Sequence, residues 1–261
     1  MKLSVIIPSY KDPLLHKTID SLLENSELGD ELEIIPILDG YLPVMPIKND
    51  PKVKPLYLEK TRGMREAINA GVAASKGEFI MRTDEHCMFG KGYDRILTTD
   101  FEDNWIVTPR RYLLDVEKWE IMKEFPPIDY GKLVIQQPQM KFTANVWMCR
   151  AKERKHIMID ETMGMQGSCW IMKRSWWNKV IKELQSEGYG THYQDSMEMV
   201  FKTWQAGGKL MVNKNTWHAH KHRKFKRTHS YPRSKAEACF AYSLSIWRDY
   251  YENVIRPRWG I

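Results

Sequence analysis

The chain has 261 residues, a formal net charge of +7 and 43% hydrophobic residues. This composition excludes a largely disordered chain and supports one large α/β domain or two small ones. No apolar run approaches the roughly 18 residues of a membrane-spanning helix, so we expect no membrane partner. The N-terminal stretch shows no signal-peptide cleavage site and the four cysteines are scattered, which favours a cytoplasmic location.

Residues 1–100 predict strands that alternate with helices. The predicted elements are, in order, a strand ending at Pro8, a helix over 13–24, a strand over 33–38, a short strand over 53–58, a helix over 63–75 and a strand over 78–83. This order is typical of α/β folds with a mainly parallel, Rossmann-like nucleotide-binding sheet flanked by helices. The sequence contains no glycine fingerprint of dinucleotide-binding or P-loop proteins, which disfavours both classes.

The later part of the chain has a less regular pattern. Residues 105–114, WIVTPRRYLL, are typical of a strand followed by a turn, and the stretch from there to Gly164 has no clear period. We interpret 105–165 as a variable insertion. Regular elements return after it. They are a strand over 169–172 with an amphipathic helix behind it, a helix over 194–206, a strand over 209–220 and a long helix that ends before Pro257.

Three predicted strands end in polar or turn-forming residues, at Pro8-Ser9-Tyr10, Asp39-Gly40 and Asp84-Glu85-His86. Parallel α/β sheets bind ligands at the carboxyl ends of their strands. Asp84 and His86 lie two residues apart, so on an extended chain their side chains point the same way. A carboxylate with an imidazole can bind Mn²⁺ or Mg²⁺. We therefore favour a divalent metal site here over an ordinary polar loop.

The charge is unevenly distributed along the chain. Between Met199 and Ala236 there is no acidic residue, whereas ten Lys or Arg and four of the eight histidines lie there. A solvated surface usually mixes both signs, so a block of one sign suggests an anionic partner. A nucleotide diphosphate and a nucleic acid both fit; the alternative is a merely basic surface.

Several motifs, in this order, resemble those of GT-A-fold glycosyltransferases. LSVIIPSYKDPLLHKTIDSLL is similar to the first strand and helix of the large family-2 group, and RGMREAINAGVAASKGEFIMRTDEH to the helix and strand before its metal motif. ILDGY stands at the family's acidic strand end with a single acid, Asp39. The Asp-x-His motif before a cysteine, QDSMEMVFKTWQAGGKL and TWHAHKHR resemble the polypeptide N-acetylgalactosaminyltransferase branch. The resemblance covers roughly residues 3–225.

The resemblance implies one GT-A domain over 1–225, with a nucleotide-binding half at 1–100 and an acceptor half at 101–225. The segment 226–261 is expected to hold a basic stretch and a C-terminal helix that packs on the same domain. The implied activity is sugar transfer from a UDP-sugar, with Mn²⁺ as the first choice of cofactor and Mg²⁺ as the alternative. The weakly periodic stretch 105–165 would face the acceptor.

The resemblance also assigns residues to the donor. Asp39 would accept hydrogen bonds from the base or ribose of the donor. Asp84 would contact both the donor and the metal. Further donor-binding residues implied by the family are Pro8 and Tyr10 at the base, and Arg62, Gly63 and Arg65 at the uracil and phosphates. The alternative for Arg65 is an exposed helix arginine without a role in binding.

The metal would take a third ligand from a distant histidine. Counted from Gly207-Gly208, His220 matches the distal histidine of the family, with His218 and His222 as the alternatives. The implied metal ligands are therefore Asp84, His86 and His220.

Asp195 and Glu198 are the catalytic candidates. They stand at i and i+3 on one predicted helix, and so on one face. In inverting relatives the acid at this place is the general base that deprotonates the acceptor hydroxyl. In the retaining branch it positions the substrate, so both roles remain open. The alternative for Asp195 is an N-terminal helix acid that the macrodipole favours.

The acceptor is the least determined feature. The acid-free basic block and the cysteine usage favour DNA, and the sugars that phages attach to their bases suggest a hydroxymethylated pyrimidine such as 5-hydroxymethylcytosine. The location would then be the cytoplasm of the host cell. Alternative acceptors are a polypeptide Ser or Thr and a cell-envelope glycan. A different class, a non-catalytic nucleic-acid-binding protein on a degenerate transferase fold, predicts salt-sensitive DNA binding without sugar transfer.

Overall fold

The structure is a computed structural model that describes residues 1–190, 192–226 and 233–261. The strands are β1 (Leu3–Ser9), β2 (Leu32–Asp39), β3 (Leu56–Leu58), β4 (Phe79–Thr83), β5 (Cys87–Phe89), β6 (Trp105–Asp115), β7 (Glu120–Ile121), β8 (Gly131–Gln136), β9 (Lys141–Val146), β10 (Ile159–Glu161), β11 (Cys169–Lys173) and β12 (Lys209–Lys221). The helices are α1 (Leu15–Glu24), α2 (Met64–Ala74), α3 (Tyr93–Leu97), α4 (Met148–Glu153), α5 (Arg174–Trp176), α6 (Asp195–Gln205), α7 (Arg233–Tyr250) and α8 (Arg256–Arg258). A π-helical turn, Trp177–Ile181, extends α5, and another, Tyr251–Ile255, joins α7 to α8.

Ten strands form one mixed sheet in the order β10-β12-β6-β11-β4-β1-β2-β3, with β5 paired to β12 and β7 to β6. The strands β3, β2, β1 and β4 are parallel, whereas β11 runs antiparallel between β4 and β6. The carboxyl ends of β1, β2 and β4 therefore meet at one edge, where open α/β sheets bind their ligands. The predicted α/β class with a mainly parallel sheet is confirmed.

Both faces of the parallel strands are buried. In β1, Ile6 belongs to one hydrophobic cluster together with Ile68 of α2. Val5 and Ile7 belong to the other cluster, which includes Ile19 of α1. Because alternate side chains of a strand point to opposite faces, α1 and α2 cover opposite sides of the same strands. This double burial explains the continuous hydrophobic runs by which the sequence predicts these strands.

The strand β12 reaches the carboxyl edge of the sheet from the other half of the chain. Its first part pairs with β6 in parallel register, and an irregularity between Asn213 and Trp217 then shifts that register. Beyond the shift, β12 pairs with β6 on one side and with β5 on the other. Because β5 directly follows Asp84-Glu85-His86, this pairing brings the motif beside the end of β12.

Three predictions about elements are wrong in detail. The stretch 105–165 is not simply an insertion, because the strand predicted over 105–114 is β6 of the main sheet, and β8 pairs with β9 in a separate two-stranded sheet. The predicted helix behind β11 is present, but it is partly π-helical and ends at Ile181 instead of continuing to the end of the amphipathic stretch at Leu184. The C-terminal helix does not end before Pro257, since that residue lies in the first turn of α8, where a missing backbone N–H is tolerated.

The C-terminal helix packs on the main body. Trp247 of α7 stacks on Phe201 of α6 with ring centroids 5.1 Å apart, and Tyr251 donates a hydrogen bond to the Leu133 carbonyl at 3.0 Å. The predicted basic segment lies partly outside the described residues, which omit 227–232. Of the helices in the described part of the chain, none has the length and apolar character to cross a membrane.

Candidate metal centre and active-site cleft

Three side chains converge at the carboxyl edge of the sheet. His220 Nε2 lies 3.0 Å from Asp84 Oδ2 and 3.1 Å from His86 Nε2. Asp84 and His86 come from the turn between β4 and β5, whereas His220 comes from the end of β12. The structure thus brings together one carboxylate oxygen and two imidazole nitrogens, from the three residues expected to bind a metal.

Strand pairing accounts for this convergence. His220 stands opposite Cys87 across the β5–β12 ladder, and the backbone N–H of Lys221 donates to the His86 carbonyl at 3.2 Å. Residues that face each other across an antiparallel ladder are only about 5 Å apart. His220 is therefore held close to Cys87 and to its chain neighbour His86. The register shift before Trp217 sets which residue of β12 occupies this place.

The two alternative histidines have other surroundings. His218 is buried, its Nε2 lies 3.1 Å from Ser168 Oγ, and its ring stacks on Phe89. His222 stacks on Phe125 at the end of β12. Of these three described histidines, only His220 joins Asp84 and His86 in one group of potential ligand atoms.

The geometry of the group fits a divalent cation. Neighbouring ligand atoms at about 2.0–2.2 Å from a metal stand roughly 3 Å apart, and the separations here are 3.0 and 3.1 Å. Asp12 Oδ2 lies 3.1 Å from His86 Nδ1, which directs His86 Nε2 at the group. Arg82 donates a hydrogen bond to Asp84 Oδ1 at 2.6 Å, so Asp84 Oδ2 faces the two imidazole nitrogens. Such partners orient the ligands of metal sites and fix the tautomer of a ligating imidazole.

Burial and neighbouring charges set the protonation states of two of these groups. Burial raises the pKa of the Asp84 carboxyl, but the Arg82 guanidinium and the hydrogen bond with His220 hold that pKa well below its usual range. Burial lowers the pKa of His220 to about 4, against the opposing effect of Asp84. At neutral pH Asp84 is therefore an anion and His220 a neutral imidazole, which are the forms that bind a cation.

Glu85 ties the metal motif to the end of β1. Its Oε2 accepts a hydrogen bond from the backbone N–H of Tyr10 at 3.0 Å. Burial raises the pKa of Glu85 to about 8, and the charges of Asp12 and Asp84 act in the same direction. Of the residues expected at the base, Pro8 is buried and Tyr10 is half-buried at this strand end.

Asp39, at the end of β2, organises the loop that precedes α2. Its two carboxylate oxygens accept hydrogen bonds from the backbone N–H groups of Arg62 at 2.6 Å and Gly63 at 2.8 Å. Gly40 has a φ of +71°, and a Cβ there would lie 2.2 Å from Thr61 N, so the position requires glycine. The Arg62 side chain is exposed. The Asp39 carboxylate therefore holds the loop in place at the edge where the donor is expected.

Arg65 and Glu198 contact each other instead of the cleft. The two side chains are 0% and 1% exposed and form a buried ion pair. Arg65 also donates to the backbone carbonyls of Gln185 at 2.8 Å and Tyr193 at 3.0 Å. Lys202 reaches the other oxygen of Glu198 at 2.7 Å. In this arrangement neither Arg65 nor Glu198 is accessible to a donor or an acceptor.

Asp195 lies on the wall of an open cleft of about 240 Å³ beside the metal-ligand group. It stands in the first turn of α6, after Gln194, whose φ is +57°. The cleft is lined by Arg82, Asp84, Arg111, Gln166, Gly167, Ser168, Asp195 and His220. Asp195 and Glu198 lie on the same helix, but only Asp195 lines the cleft, whereas Glu198 is buried.

Several residues of the site, among them Asp12, Arg82 and Arg111, are not predicted by the sequence pattern. Asp12 lies in the loop after β1, within the stretch that resembles the first strand and helix of the family, but that resemblance assigns it no role, and only its contact with His86 shows one. Arg111 stands in the stretch interpreted as an insertion, next to Arg110 on β6. The strand predicted over 105–114 contains both arginines, and its period of two gives their side chains opposite directions, but that period does not show which of the two faces the cleft.

The sequence and the fold are both similar to known glycosyltransferases. The chain is 23% identical to polypeptide N-acetylgalactosaminyltransferase 12 of Mus musculus over an alignment of 271 residues, which covers 98% of this chain and 46% of that protein. The chain thus spans about half the length of the curated relative it matches.

Solved structures of similar fold include GalNAc-T7 with UDP, GalNAc and Mn²⁺, at a TM-score of 0.75, 17% identity and coverage of 98% of this chain and 50% of that chain. Residues 1–349 of S. aureus TarS, in complex with UDP-GlcNAc, give a TM-score of 0.62 at 13% identity, with 95% of this chain and 67% of that chain covered. These likenesses confirm the predicted GT-A class. The family model "Glycosyl transferase family 2" matches residues 4–181, about two thirds of the chain. The chain therefore belongs to glycosyl transferase family 2.

Proposed function

We propose that this chain is a divalent-cation-dependent glycosyltransferase that moves a sugar from a UDP-sugar to an acceptor hydroxyl. The observation that carries the proposal is the convergence of Asp84, His86 and His220, whose ligand atoms are 3.0 and 3.1 Å apart at the carboxyl edge of the sheet. The solved GalNAc-T7 structure with UDP and Mn²⁺ and the TarS complex with UDP-GlcNAc support the same class of donor and cofactor here.

Asp84, His86 and His220 would hold the cation, with Mn²⁺ as the first choice and Mg²⁺ as the alternative. When bound, the cation acts as a Lewis acid that stabilises the negative charge of the departing diphosphate. Asp12 contacts His86 Nδ1, and Arg82 donates to Asp84 Oδ1. His86 Nε2 and Asp84 Oδ2, which would bind the cation, are therefore already oriented and need little rearrangement.

The nucleoside of the donor would lie at the ends of β1 and β2. Pro8 and Tyr10 would contact the base, as the family resemblance implies. Asp39 already binds the backbone N–H groups of Arg62 and Gly63, so we propose that it shapes the donor loop in addition to accepting hydrogen bonds from the nucleoside.

Asp195 is the proposed catalytic acid of the cleft. In an inverting transfer it would accept the proton of the acceptor hydroxyl, and in a retaining transfer it would position the acceptor. Glu198 and Arg65, proposed earlier as catalytic and donor-binding residues, would instead support Asp195, because their buried ion pair holds α6 and the loop before it.

The favoured acceptor is a hydroxymethylated pyrimidine of DNA. The basic block supports it, but not with all of its cations, because Lys202 and Lys214 bind backbone carbonyls inside the protein. Arg223 and Lys226 are exposed just beyond the end of β12. Lys224 is also exposed and contacts Asp115 at 3.2 Å, and Arg227 lies outside the described residues.

A polypeptide Ser or Thr is the second candidate acceptor. The specific observation in its favour is the alignment of 98% of this chain with a polypeptide N-acetylgalactosaminyltransferase. That alignment includes the metal-ligand residues and Asp195, which belong to the donor and the chemistry. Selection of the acceptor depends on other surfaces of the molecule, so the alignment supports a peptide less strongly than it supports a sugar nucleotide.

The decisive experiment offers UDP-sugars and Mn²⁺ with hydroxymethylated DNA, with a Ser/Thr peptide and without acceptor, and detects products by mass spectrometry. A sugar-sized mass increase of DNA, lost in chelator and in Asp84→Asn, would support the whole proposal. Transfer to the peptide alone would replace DNA as the acceptor. DNA binding without any transfer or UDP-sugar hydrolysis, across the panel, would favour the non-catalytic class.

The basic residues give a second test of the acceptor. Replacement of Arg223, Lys224, Lys226 and Arg227 by Ser should raise the KM for DNA far more than the KM for the UDP-sugar, because each phosphate contact releases counterions. The matched control replaces the exposed Lys152 and Lys179, which lie outside the cleft. Equal effects on both substrates would assign the four cations to the diphosphate instead.

A further inference from the structure

The loop after β1 is attached to the candidate metal motif at two points. The backbone N–H of Tyr10 donates a hydrogen bond to Glu85 Oε2 at 3.0 Å. Two residues later, Asp12 Oδ2 lies 3.1 Å from His86 Nδ1. Lys11, between the two contacts, has a φ of +60°, which few residues other than glycine adopt. The contacts on either side of Lys11 therefore hold this loop against the turn between β4 and β5.

Glu85 is the middle residue of the metal motif, and its side chain points away from the other two. Asp84 and His86 face His220, whereas Glu85 faces the end of β1, as expected for consecutive residues of an extended chain. The carboxyl of Glu85 also lies near Asp12, since the potential ligand atoms of Asp12, Glu85 and His86 are within 4.8 Å of one another. Glu85 thus connects the residues expected at the cation with the loop after β1.

The same loop contacts the residues that follow β2. The rings of Tyr10 and Tyr41 meet edge to face with their centroids 6.1 Å apart, and the Tyr41 hydroxyl shares a hydrogen bond with Ser9 Oγ. Both tyrosines are half-buried at the carboxyl ends of neighbouring parallel strands, where open α/β sheets bind their ligands. Aromatic rings in such a place offer a nucleobase a surface for stacking. Tyr41, to which neither the sequence pattern nor the family resemblance assigns a role, therefore lies beside Tyr10 at the expected base.

We propose that Glu85 is a positioning residue that couples the cation site to a nucleoside site formed by Tyr10 and Tyr41. This inference rests on the proposed function, because it concerns how the site of that transfer binds its donor. When a cation is bound, Asp84 and His86 are fixed, and Glu85 between them is fixed as well. The loop that Glu85 holds then needs no further ordering when a nucleoside binds, and a site that is ordered beforehand binds more tightly.

The test measures the binding of uridine to the full chain by calorimetry, with saturating Mn²⁺ and with EDTA. Uridine lacks the diphosphate through which a donor would contact the cation, so an effect of Mn²⁺ on its affinity must pass through the protein. The variants are Glu85→Ala, Glu85→Gln and Tyr41→Ala. The matched control is Glu78→Ala, which removes an exposed acid that is paired with Lys2 at the opposite end of β4.

In the wild type, Mn²⁺ is expected to lower the Kd for uridine about fivefold, the lower end of the usual coupling between two sites. Glu85→Ala should remove this factor. Glu85→Gln keeps an acceptor oxygen for the Tyr10 N–H and should retain most of it, and Glu78→Ala should match the wild type. Because coupling is reciprocal, uridine should raise the affinity for Mn²⁺ by the same factor in the wild type and leave it unchanged in Glu85→Ala.

Tyr41→Ala should raise the Kd for uridine about tenfold, both with Mn²⁺ and with EDTA, because the base loses a stacking partner. Retained Mn²⁺ affinity in this variant shows that the fold and the cation site are intact. An unchanged Kd for uridine would remove Tyr41 from the nucleoside site.

Two results would overturn the role of Glu85: a wild type whose uridine affinity does not respond to Mn²⁺, or a response that persists in Glu85→Ala. A loss of Mn²⁺ affinity in Glu85→Ala as large as in Asp84→Asn would also overturn it, because Glu85 would then be a ligand of the cation.

Failure of the proposed function has a different signature. A wild type that shows the Glu85-dependent coupling of uridine and Mn²⁺, but transfers no sugar to any acceptor, would leave the inference standing and remove the transferase. A wild type that binds UDP and transfers sugar, but whose uridine affinity is the same with Mn²⁺ and with EDTA, would do the reverse.

Discussion

At the scale of single residues, the His86 imidazole is held on both sides. Its Nδ1 lies 3.1 Å from Asp12 Oδ2 and its Nε2 lies 3.1 Å from His220 Nε2. Asp12 also accepts a hydrogen bond from the backbone N–H of Leu14 at 2.9 Å, so its carboxylate is fixed before any ligand arrives. The candidate metal site therefore includes, beyond Asp84 and His86, an acid 72 positions earlier in the chain than Asp84.

Asp12→Asn tests this arrangement. The amide keeps an oxygen for Leu14 but cannot act as a negatively charged partner of His86 Nδ1. We expect Mn²⁺ affinity to fall about 10- to 100-fold, the range for partners that orient metal ligands. Calorimetric titration with Mn²⁺ measures it, and Asp20→Asn, which changes an exposed acid paired with Lys48, is the control. Equal affinities of Asp12→Asn and the wild type would contradict the role of Asp12.

His218, His220 and His222, near the end of β12, should differ in their effects on Mn²⁺ affinity and on stability. His220→Ala should lose most of the Mn²⁺ affinity, and His222→Ala should lose little. His218→Ala should instead lower the free energy of unfolding by about 1–3 kcal/mol, because it leaves the buried Ser168 hydroxyl without its partner. Mn²⁺ titration and urea unfolding of the three variants check both effects. If His218→Ala damaged Mn²⁺ binding at unchanged stability, the register after the β12 irregularity would be wrong.

At the scale of elements, the Arg65–Glu198 ion pair joins α2 to α6. Arg65 comes from the helix behind the donor loop, and Glu198 stands one turn after Asp195. The same guanidinium binds two carbonyls of the segment that leads into α6. This contact couples the donor half to the helix that carries the proposed catalytic acid.

Glu198→Gln distinguishes a structural from a catalytic role. The amide leaves the fully buried Arg65 without a counter-charge, so the free energy of unfolding should fall by about 3–5 kcal/mol. The control is Glu252→Gln, which breaks the exposed pair with Arg256 and should cost under about 1 kcal/mol. Urea unfolding measures both. Unchanged stability together with a strong loss of transfer would return Glu198 to the catalytic set.

Glu33 of β2 makes a second tie between elements, and its effect depends on pH. It accepts hydrogen bonds from Ser4 Oγ at 2.6 Å, from the Lys76 backbone N–H at 2.6 Å and from Lys54 Nζ at 2.9 Å. Burial raises the pKa of Glu33, but these hydrogen bonds outweigh burial and lower it below the ordinary 4.5. The unfolded chain therefore binds a proton at higher pH than the folded one does.

The resulting stabilisation is fully present above pH 4.5 and is lost as the pH falls through the lower pKa of the folded state. We expect the Tm difference between the wild type and Glu33→Gln to be largest at pH 7 and to shrink below about pH 4.5. Thermal unfolding at a series of pH values measures this difference. A gap that grew toward acid pH would give the opposite sign and contradict the hydrogen-bonded carboxylate.

At the scale of the whole molecule, the proposed cation would join parts of the chain that are far apart in sequence. Asp84 and His86 belong to the parallel half of the sheet, and His220 to a strand that enters from its other side. A ligand that binds only the folded state stabilises it by mass action. Cation binding should therefore stabilise the whole fold as well as the site.

Mn²⁺ at 100 times its Kd should add about 2.7 kcal/mol to the free energy of unfolding. For a chain of this size the Tm should rise by several degrees, on the order of 2–4 °C per kcal/mol. EDTA should reverse the shift, and Asp84→Asn should abolish it. Differential scanning calorimetry provides the measurement, independently of donor or acceptor. The same Tm shift in Asp84→Asn would show that Mn²⁺ binds elsewhere.

The secondary-structure elements and the fold class can be predicted from the amino-acid sequence. The hydrophobic runs of β1, β2 and β4 and the helical spacing of α1, α2 and α6 are local patterns, so their periods are legible without a structure. The family resemblance of these segments and the α/β class are both confirmed. The motif Asp84-Glu85-His86 is also recognisable in the sequence, because two candidate metal ligands two residues apart form a local pattern.

Which distant side chains meet depends on the packing of the elements and cannot be predicted from local patterns. The pairing of the three-residue β5 with β12, too short to predict from periodicity, brings His220 beside His86 and leaves His218 against Ser168. The burial of Arg65 with Glu198 and the contact of Asp12 with His86 likewise depend on packing between elements. Sequence patterns report the direction of a side chain within its own helix or strand. They do not report which other element packs over that side chain. That packing decides whether an acid such as Glu198 lies in a buried ion pair or faces the cleft.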